Sequence, residues 1–328
     1  MNTFGRTLRI SIFGESHGGA VGATLDGVPP GIAISEEDML PDLARRRSGG
    51  VGTTPRREPD LPKIVSGVFH GHTTGAPMTV LFENTNTRSR DYRQFVASPR
   101  PGHADFVAQR KYGGFQDYTG GGHFSGRVTL GLVAMGVVAK KILAPATVSS
   151  EILEIGGEQD YAEVLGAAVE AKDSLGGVIQ ILVEGLPVGL GEPFFEAAEA
   201  RIAHAVFSVP ATRGIEFGTG FAAARMKGSE HNDPIIDEHG TTATNHAGGI
   251  NGGITNGNPV VFRVAVKPTS SIGQAQQTMN FEQGDVKEFV AEGRHDSCIA
   301  LRIPPVLEAA TALVLADLKL LAKGTAPL

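Results

Sequence analysis

Glycine sets the terms on which this chain folds: 44 of its 328 residues, about 13%, lack a side chain, close to twice the usual share. A backbone so relieved of Cβ sterics turns tightly, or approaches a neighbour or a ligand closely, at many points. No Gly-X-Y period accompanies the glycine, and 41% of the residues are apolar, so collagen and disorder are excluded and a globular protein remains. The length is compatible with about two domains. No low-complexity linker divides it, however, and a single large domain over residues 1–328 is the expectation. One cysteine, Cys298, permits no intrachain disulfide, and the N-terminus lacks the basic and apolar regions of a signal peptide. The longest apolar run, about residues 128–139, is too short for a bilayer, so a cytoplasmic protein without membrane contact is expected.

Charge narrows the partner. The 29 basic and 35 acidic residues leave a net −6, which argues against a general nucleic-acid or anionic-membrane binder. Yet nine of the 19 arginines (Arg45, Arg46, Arg47, Arg56, Arg57, Arg88, Arg90, Arg93 and Arg100) fall between residues 45 and 100. Guanidinium forks bind phosphate and carboxylate bidentately. A small, multiply anionic substrate is the economical partner for such a cluster, although for any one exposed arginine a solvated face is the better reading.

Hydrophobic periodicity predicts strands over residues 7–13, 63–69, 78–83, 178–183 and 258–266. It predicts helices over 36–47, 103–112, 126–143, 160–173 and 193–207, and an amphipathic helix over 304–322. Ser35-Glu36-Glu37-Asp38 has the form of a capping box, and Arg45-Arg46-Arg47 suits the negative end of the same helix. Glu184-Gly-Leu-Pro-Val-Gly-Leu190 echoes Asp26-Gly-Val-Pro-Pro-Gly-Ile32, each before an expected helix. Two similar halves about a pseudo-twofold axis would explain this, and so would coincidence.

Several motifs fall at element ends. Gly14-Glu15-Ser16-His17-Gly18 matches the nucleophile-elbow pattern at Ser16, but the following segment is all turns, so glycines bringing His17 against a ligand is the better reading. Arg100-Pro-Gly-His103 sets a histidine at a helix start beside an arginine, suited either to protonating a phosphate leaving group or to capping. His70-Gly71-His72 lacks a third metal ligand and reads as a turn. Gly120-Gly121-Gly122 precedes the apolar helix and offers amides to an anion. Lys267-Pro268-Thr269-Ser270-Ser271 supplies an ammonium and hydroxyls to a phosphate, or forms a turn. Gly293-Arg294-His295-Asp296, expected after a short helix, holds three ionisable groups in succession.

Taken together with Arg56-Arg-Glu-Pro-Asp60 and Asn245-His-Ala-Gly-Gly-Ile250, these motifs closely resemble the chorismate synthase family, in the family's order and over nearly the whole chain. The resemblance implies an α+β fold, a β-α-β sandwich of two antiparallel sheets packed between helices, assembled as a homotetramer. It implies 1,4-elimination of phosphate from 5-enolpyruvylshikimate 3-phosphate, giving chorismate for aromatic amino-acid biosynthesis. Reduced FMN is required without net redox change. By resemblance His17 protonates reduced flavin, His103 assists phosphate departure, and Asp296 helps the flavin take the substrate proton. Arg46, Arg47, Arg100 and Arg127 would face the substrate. FMN contacts would come from His123, Phe124, Ser125, Pro210, Ala211, Gly252, Lys267, Pro268, Thr269, Ser270, Ser271 and Arg294.

The sequence departs from the family pattern at His123-Phe124, where an Arg-Ser pair is usual, at Pro210, where asparagine is common, and at Ser297, which replaces a proline. Gly52 stands where many members carry an arginine associated with reduced nicotinamide (NADPH), which implies that a separate reductase supplies the flavin. Two rival functions remain: a serine hydrolase using Ser16, and a non-catalytic binder of phosphorylated ligands. Neither accounts for residues 267–271 and 293–296 together.

Overall fold

The structure, a computed structural model, describes residues 2–54, 58–86, 92–291, 293 and 295–323. Alternating burial builds a first antiparallel sheet from β1 (Thr3–Phe4), β2 (Arg9–Gly14), β3 (Ala20–Asp26), β4 (Lys63–Ser66) and β7 (Met78–Glu83), in the order β1-β2-β3-β7-β4. The stretch expected as one strand over 63–69 is broken at Gly67 (φ +83°). It continues into a small hairpin of β5 (Val68–Phe69) and β6 (His72–Thr73), with His70 and Gly71 at positive φ in its turn. Ser35 starts α1 (Glu36–Arg46) as expected, its amide donating to Asp38 Oδ2 at 2.8 Å.

The second antiparallel sheet contains β8 (Thr147–Ile155), β9 (Gly177–Glu184), β10 (Thr212–Phe217) and β13 (Val260–Val266), in the order β8-β9-β13-β10. The remaining helices are α2 (Gln94–Ala97), α3 (Asp105–Tyr112), α4 (Leu130–Leu143), α5 (Ala162–Glu170), α6 (Ala198–Ser208), α7 (Gly228–His231) and α8 (Pro304–Ala322). Short strands β11 (Ile250–Asn251) and β12 (Ile254–Thr255) pair with each other, as do β14 (Ala275–Asn280) and β15 (Asp285–Val290). Leaving aside the insertions between them, among them α5 between β8 and β9, the sheet strands and their helices follow one order, β2-β3-α1-β4-β7-α4 in the first half and β8-β9-α6-β10-β13-α8 in the second, with the strands in matching spatial order.

Helix α4 lies on β3 and β7, α8 lies on β8 and β9, and the two helices pack on each other, so the central helices are between the sheets rather than outside them. One apolar cluster runs from Val21 and Phe82 through α4 and α8 to Ile179 and Phe262. Glycine makes the contact close: a Cβ on Gly136 would lie 2.3 Å from Ala309 Cβ, and one on Gly131 would lie 2.8 Å from the Gly22 backbone.

Two further expectations are corrected. Helix α8 is not amphipathic, since every residue from Pro304 to Leu318 is buried. Its polar residues are satisfied internally. Asp317 accepts the backbone N–H groups of Arg6, Thr7 and Leu8, and Glu308 pairs with Arg45 and Lys140. Burial alone would raise the Glu308 carboxyl, but those partners and Ser150 hold it below its usual value. The element before Gly293 is strand β15, not a short helix; β14 and β15 are joined at a turn closed by Gly284 (φ +78°).

Gly136→Ala should destabilise the fold by about 1 to 3 kcal/mol, because helix α8 must move to admit the methyl group. Gly166 in α5 has no heavy atom within 4 Å of its would-be Cβ, so Gly166→Ala should instead stabilise by about 0.4 to 1 kcal/mol. Denaturant unfolding of both variants, with opposite shifts in midpoint, is the measurement.

Candidate functional site

The C-terminal end of α1, the single helical turn 126–129 before α4, the loop after β2 and the segment before α8 converge on one cleft with two adjoining cavities. The smaller, about 450 Å³, is lined by Arg46, Arg47, Arg127, Asp296 and Arg302. The larger, about 670 Å³, has an apolar wall at Ile10, Ile12 and Leu132 and a polar end formed by residues 267–271. Arg100, Gly120, Ser125, Pro210 and Thr269 border both.

Arginines are buried here, and each is held differently. Arg127 pairs with Asp60 at 2.8 Å and donates to Asn84 Oδ1. Arg100 donates to both Asp105 oxygens at 2.8 Å and to Ser271 Oγ at 2.9 Å. Arg46, only 6% exposed, donates to two neutral oxygens, Thr129 Oγ1 at 3.0 Å and the Gly126 carbonyl. Burial first, then the charges of Arg302 and Arg127, push the Arg46 guanidinium down to about 9. A buried cation among cations is relieved by an anion, so this cavity suits a polyanionic ligand. Arg47 lines the same cavity and donates to the Pro59 carbonyl at 2.6 Å.

His103 lies in the larger cavity's wall between α2 and α3, with Nδ1 2.6 Å from Asp105 Oδ1. Asp105 thereby orients the ring and leaves Nε2 as the nitrogen for proton exchange. His17 is on the wall of neither cavity. It sits one layer back, edge-on to Tyr92 at 5.0 Å between ring centroids, where only glycine fits at position 120, because a Cβ there would be 2.5 Å from His17 Cδ2. Asn84 fixes its loop by donating to the Glu15 and Gly18 carbonyls. Asp296 faces the smaller cavity with both oxygens 3.0 Å from Arg302 Nη1 and one accepting the Thr54 amide.

The remaining candidates divide. His123, Phe124, Ser125, Pro210, Ala211 and Lys267–Ser271 all border the larger cavity, His123 with Nδ1 2.8 Å from the Gly14 carbonyl. Gly252 does not reach the cleft; it occupies the turn between β11 and β12. Arg56, Arg57, Arg88, Arg90 and Arg294 lie outside the described residues. Lys267 Nζ bonds the Gly102 carbonyl and Ser270 Oγ, neither of them an anion, and burial followed by the Arg213 charge lowers its ammonium below the usual lysine value. Sequence reasoning missed Arg302, Asp60 and Tyr92. Arg302 carries no local signal, being one arginine before a helix, and joins the site through Asp296 and the Arg46 carbonyl. Among the described residues no group of three His, Cys, Asp or Glu side chains is arranged to hold a metal.

A model of the family described as chorismate synthase matches residues 8–320. The chain belongs to the chorismate synthase family. It is 64% identical over 322 residues to a chorismate synthase of Chitinophaga pinensis, covering 98% of this chain and 97% of that one. It is 45% identical to one of Thermococcus gammatolerans, covering 95% and 96% of the two chains. A solved structure titled as the crystal structure of chorismate synthase superposes with a TM-score of 0.75 at 28% identity, over 98% of this chain and 94% of its own. The chorismate synthase family places the chain among lyases of the shikimate pathway.

Two outcomes follow from the cleft. Hydrogen bonds from Arg100 and His103 outweigh burial and hold the Asp105 carboxyl well below the usual carboxylate range. A depressed folded value contributes stability above the unfolded carboxylate value of about 4, and that stability is lost as pH falls below it. Asp105→Asn should therefore cost about 1.5 to 3 kcal/mol at pH 7, with a smaller difference from wild type at pH 3, as read by denaturant titration at both. Arg46→Ala should weaken affinity for 5-enolpyruvylshikimate 3-phosphate by about 1.5 to 3 kcal/mol in calorimetry. Unchanged affinity with a lowered melting temperature would mean that Arg46 serves only to close α1.

Proposed function

We propose that this cleft converts 5-enolpyruvylshikimate 3-phosphate to chorismate and phosphate, with substrate in the arginine-lined cavity and reduced FMN in the larger one beside it. The observation that carries the reading is the junction of the two cavities at Arg100, Gly120 and Thr269, with excess cationic charge on one side and an apolar wall ending in Lys267 and serine hydroxyls on the other. The donor set fits the cofactor. The ammonium and hydroxyls of residues 267–271 suit a phosphate, and Ile10, Ile12 and Leu132 suit a flat ring. When bound, reduced FMN supplies the electron density that helps expel phosphate.

The chain's own groups do the rest. Arg46, Arg47 and Arg127 neutralise the trianion and hold it in register, with Arg302 added to the set the sequence offered. His103, ring fixed by Asp105, donates a proton from Nε2 to the departing phosphate oxygen. Asp296, fixed by Arg302 and the Thr54 amide, faces the substrate cavity, where it would assist the bound flavin in taking the proton lost from the substrate ring. His17 serves as a proton reservoir one layer behind Gly120. The matching element order of the two halves supports a single domain related by a pseudo-twofold axis, a β-α-β sandwich with its helices inside. From membership of the family we further infer a homotetramer in the cytoplasm.

Anaerobic incubation with chemically reduced FMN and 5-enolpyruvylshikimate 3-phosphate should release phosphate, and no release would overturn the reading. His17→Ala and His103→Ala should each lower turnover by roughly 10² to 10⁴, the usual contribution of a positioned acid or base, with the fold intact by circular dichroism.

Gly52 bears on the source of reduced flavin. Its carbonyl accepts the Ser297 and Cys298 amides, and a Cβ there, at φ +79°, would lie 2.7 Å from Leu165 of α5. Gly52 supplies no guanidinium for the extra phosphate of NADPH, and its backbone is in a region that other residues rarely adopt, so the protein should rely on a separate flavin reductase. With oxidised FMN and NADPH under anaerobic conditions, NADPH absorbance should stay constant. Its stoichiometric loss would refute the idea.

A further inference from the structure

The β14–β15 hairpin belongs to neither sheet, and most of its residues are exposed. Its anchors lie on the short segment that carries Arg100 and His103. The Phe281 amide donates to the Ala97 carbonyl at 2.9 Å, Thr278 Oγ1 donates to the Pro99 carbonyl at 2.7 Å, and the Phe281 ring stacks on Phe106 at 5.4 Å. On β15 the half-buried Phe289 meets Phe95 edge-on, with ring centroids 5.8 Å apart.

Phe95 is the buried residue of α2, 3% exposed, and two functional neighbours meet on it. The Arg100 guanidinium lies over its face, 4.1 Å from the centroid. Tyr92 touches its edge at 5.7 Å and in turn meets the His17 ring at 5.0 Å, nearly perpendicular. Stacking occupies the flat face of a guanidinium and leaves its in-plane N–H groups available. Those groups bind Asp105 and Ser271, and Nη2 lies 3.1 Å from His103 Nδ1. A fixed face together with fixed edges determines the orientation of Arg100, and through Asp105, which Arg100 holds by both oxygens, that of the His103 imidazole.

We propose that Phe95 is a positioning residue for the reaction, braced by the β14–β15 hairpin, which sets His103 through Arg100 and His17 through Tyr92. The inference rests on the chorismate-forming reading above. It concerns a residue on the wall of neither the substrate nor the cofactor cavity.

Phe95→Leu in the full chain keeps an apolar side chain at the site and removes the π face. It should leave the melting temperature within a few degrees of wild type and lower kcat/KM about tenfold or more, chiefly in kcat, because small displacements of acid-base groups slow chemistry steeply. In an Arg100→Lys background, which loses the fork geometry, Phe95→Leu should cost less than about threefold, the signature of residues acting through each other. Phe289→Leu, on the hairpin, should show a smaller loss of the same kind and keeps the test open if Phe95→Leu does not fold. A folded Phe95→Leu variant with wild-type kcat/KM, or penalties that simply multiply in the double variant, would overturn the proposal. A wild-type protein that releases no phosphate sinks the parent reading and this inference with it, whereas an active wild type matched by Phe95→Leu sinks this inference alone.

Discussion

Burying guanidinium groups at the end of an apolar core is the constraint on which the rest of this structure turns. Arg46, Arg100 and Arg127 are each less than a tenth exposed, and taking such charges out of water costs several kcal/mol apiece unless partners replace the hydration. Asp105 and Asp60 replace it for Arg100 and Arg127, and Asp296 does so for the partly buried Arg302. Arg46 hydrogen-bonds only hydroxyl and carbonyl oxygens, and the charges of Asp60 and Asp296 offset its burial beside Arg302 and Arg127 only in part. The carboxylates thus do two things: they make burial of the cations tolerable, and they leave a surplus of positive charge oriented toward the cleft.

That arrangement needs a rigid frame, and close backbone packing provides it. Helices α4 and α8 approach at Gly136 and Ala309 more closely than any side chain on residue 136 would allow, and α4 approaches the first sheet at Gly131 in the same way. The N-terminal ends of both helices reach the cleft, α4 through the turn holding Arg127 and α8 after Arg302. Glycine at 120 does for the His17 loop what glycine at 136 does for the core, removing the one atom that would keep two parts of the chain apart. The high glycine content therefore serves packing and site geometry together.

The hairpin outside the sheets adds a second level of control. It bears on the Arg100 segment through two aromatic rings and two backbone carbonyls, so that segment is held from behind as well as from within the cleft. Buried Glu308 and Asp317 play a corresponding part at α8, tying α1 and the N-terminal strands to the central helix through ion pairs and backbone amides.

The sequence by itself determined the local elements whose signals are local. Ser35 to Asp38 capped α1, alternation marked β7 and β13, and unbroken apolarity marked α4. It also carried the family motifs, and most of the site residues named with them border one of the two cavities. What it did not determine were relations between distant positions. Glu308, Thr311 and Asp317 give α8 the look of a helix with a wet face, yet their partners at Arg45, Lys140 and residues 6–8 are brought by other elements and the face is dry. Edge strand β8 places polar Ser150 at an inward position, bonded to Glu308, and changes register between Ile152 and Glu154, which breaks the alternation that would reveal it. Arg302, Asp60 and Tyr92 join the site only because chain segments tens to hundreds of residues apart meet there, and Gly252 stays in its turn for the same reason. Short-range sterics and capping act within a few residues and can be read along the chain, whereas burial, charge compensation and the position of a ring depend on which segments the fold brings together, and that only the tertiary structure decided.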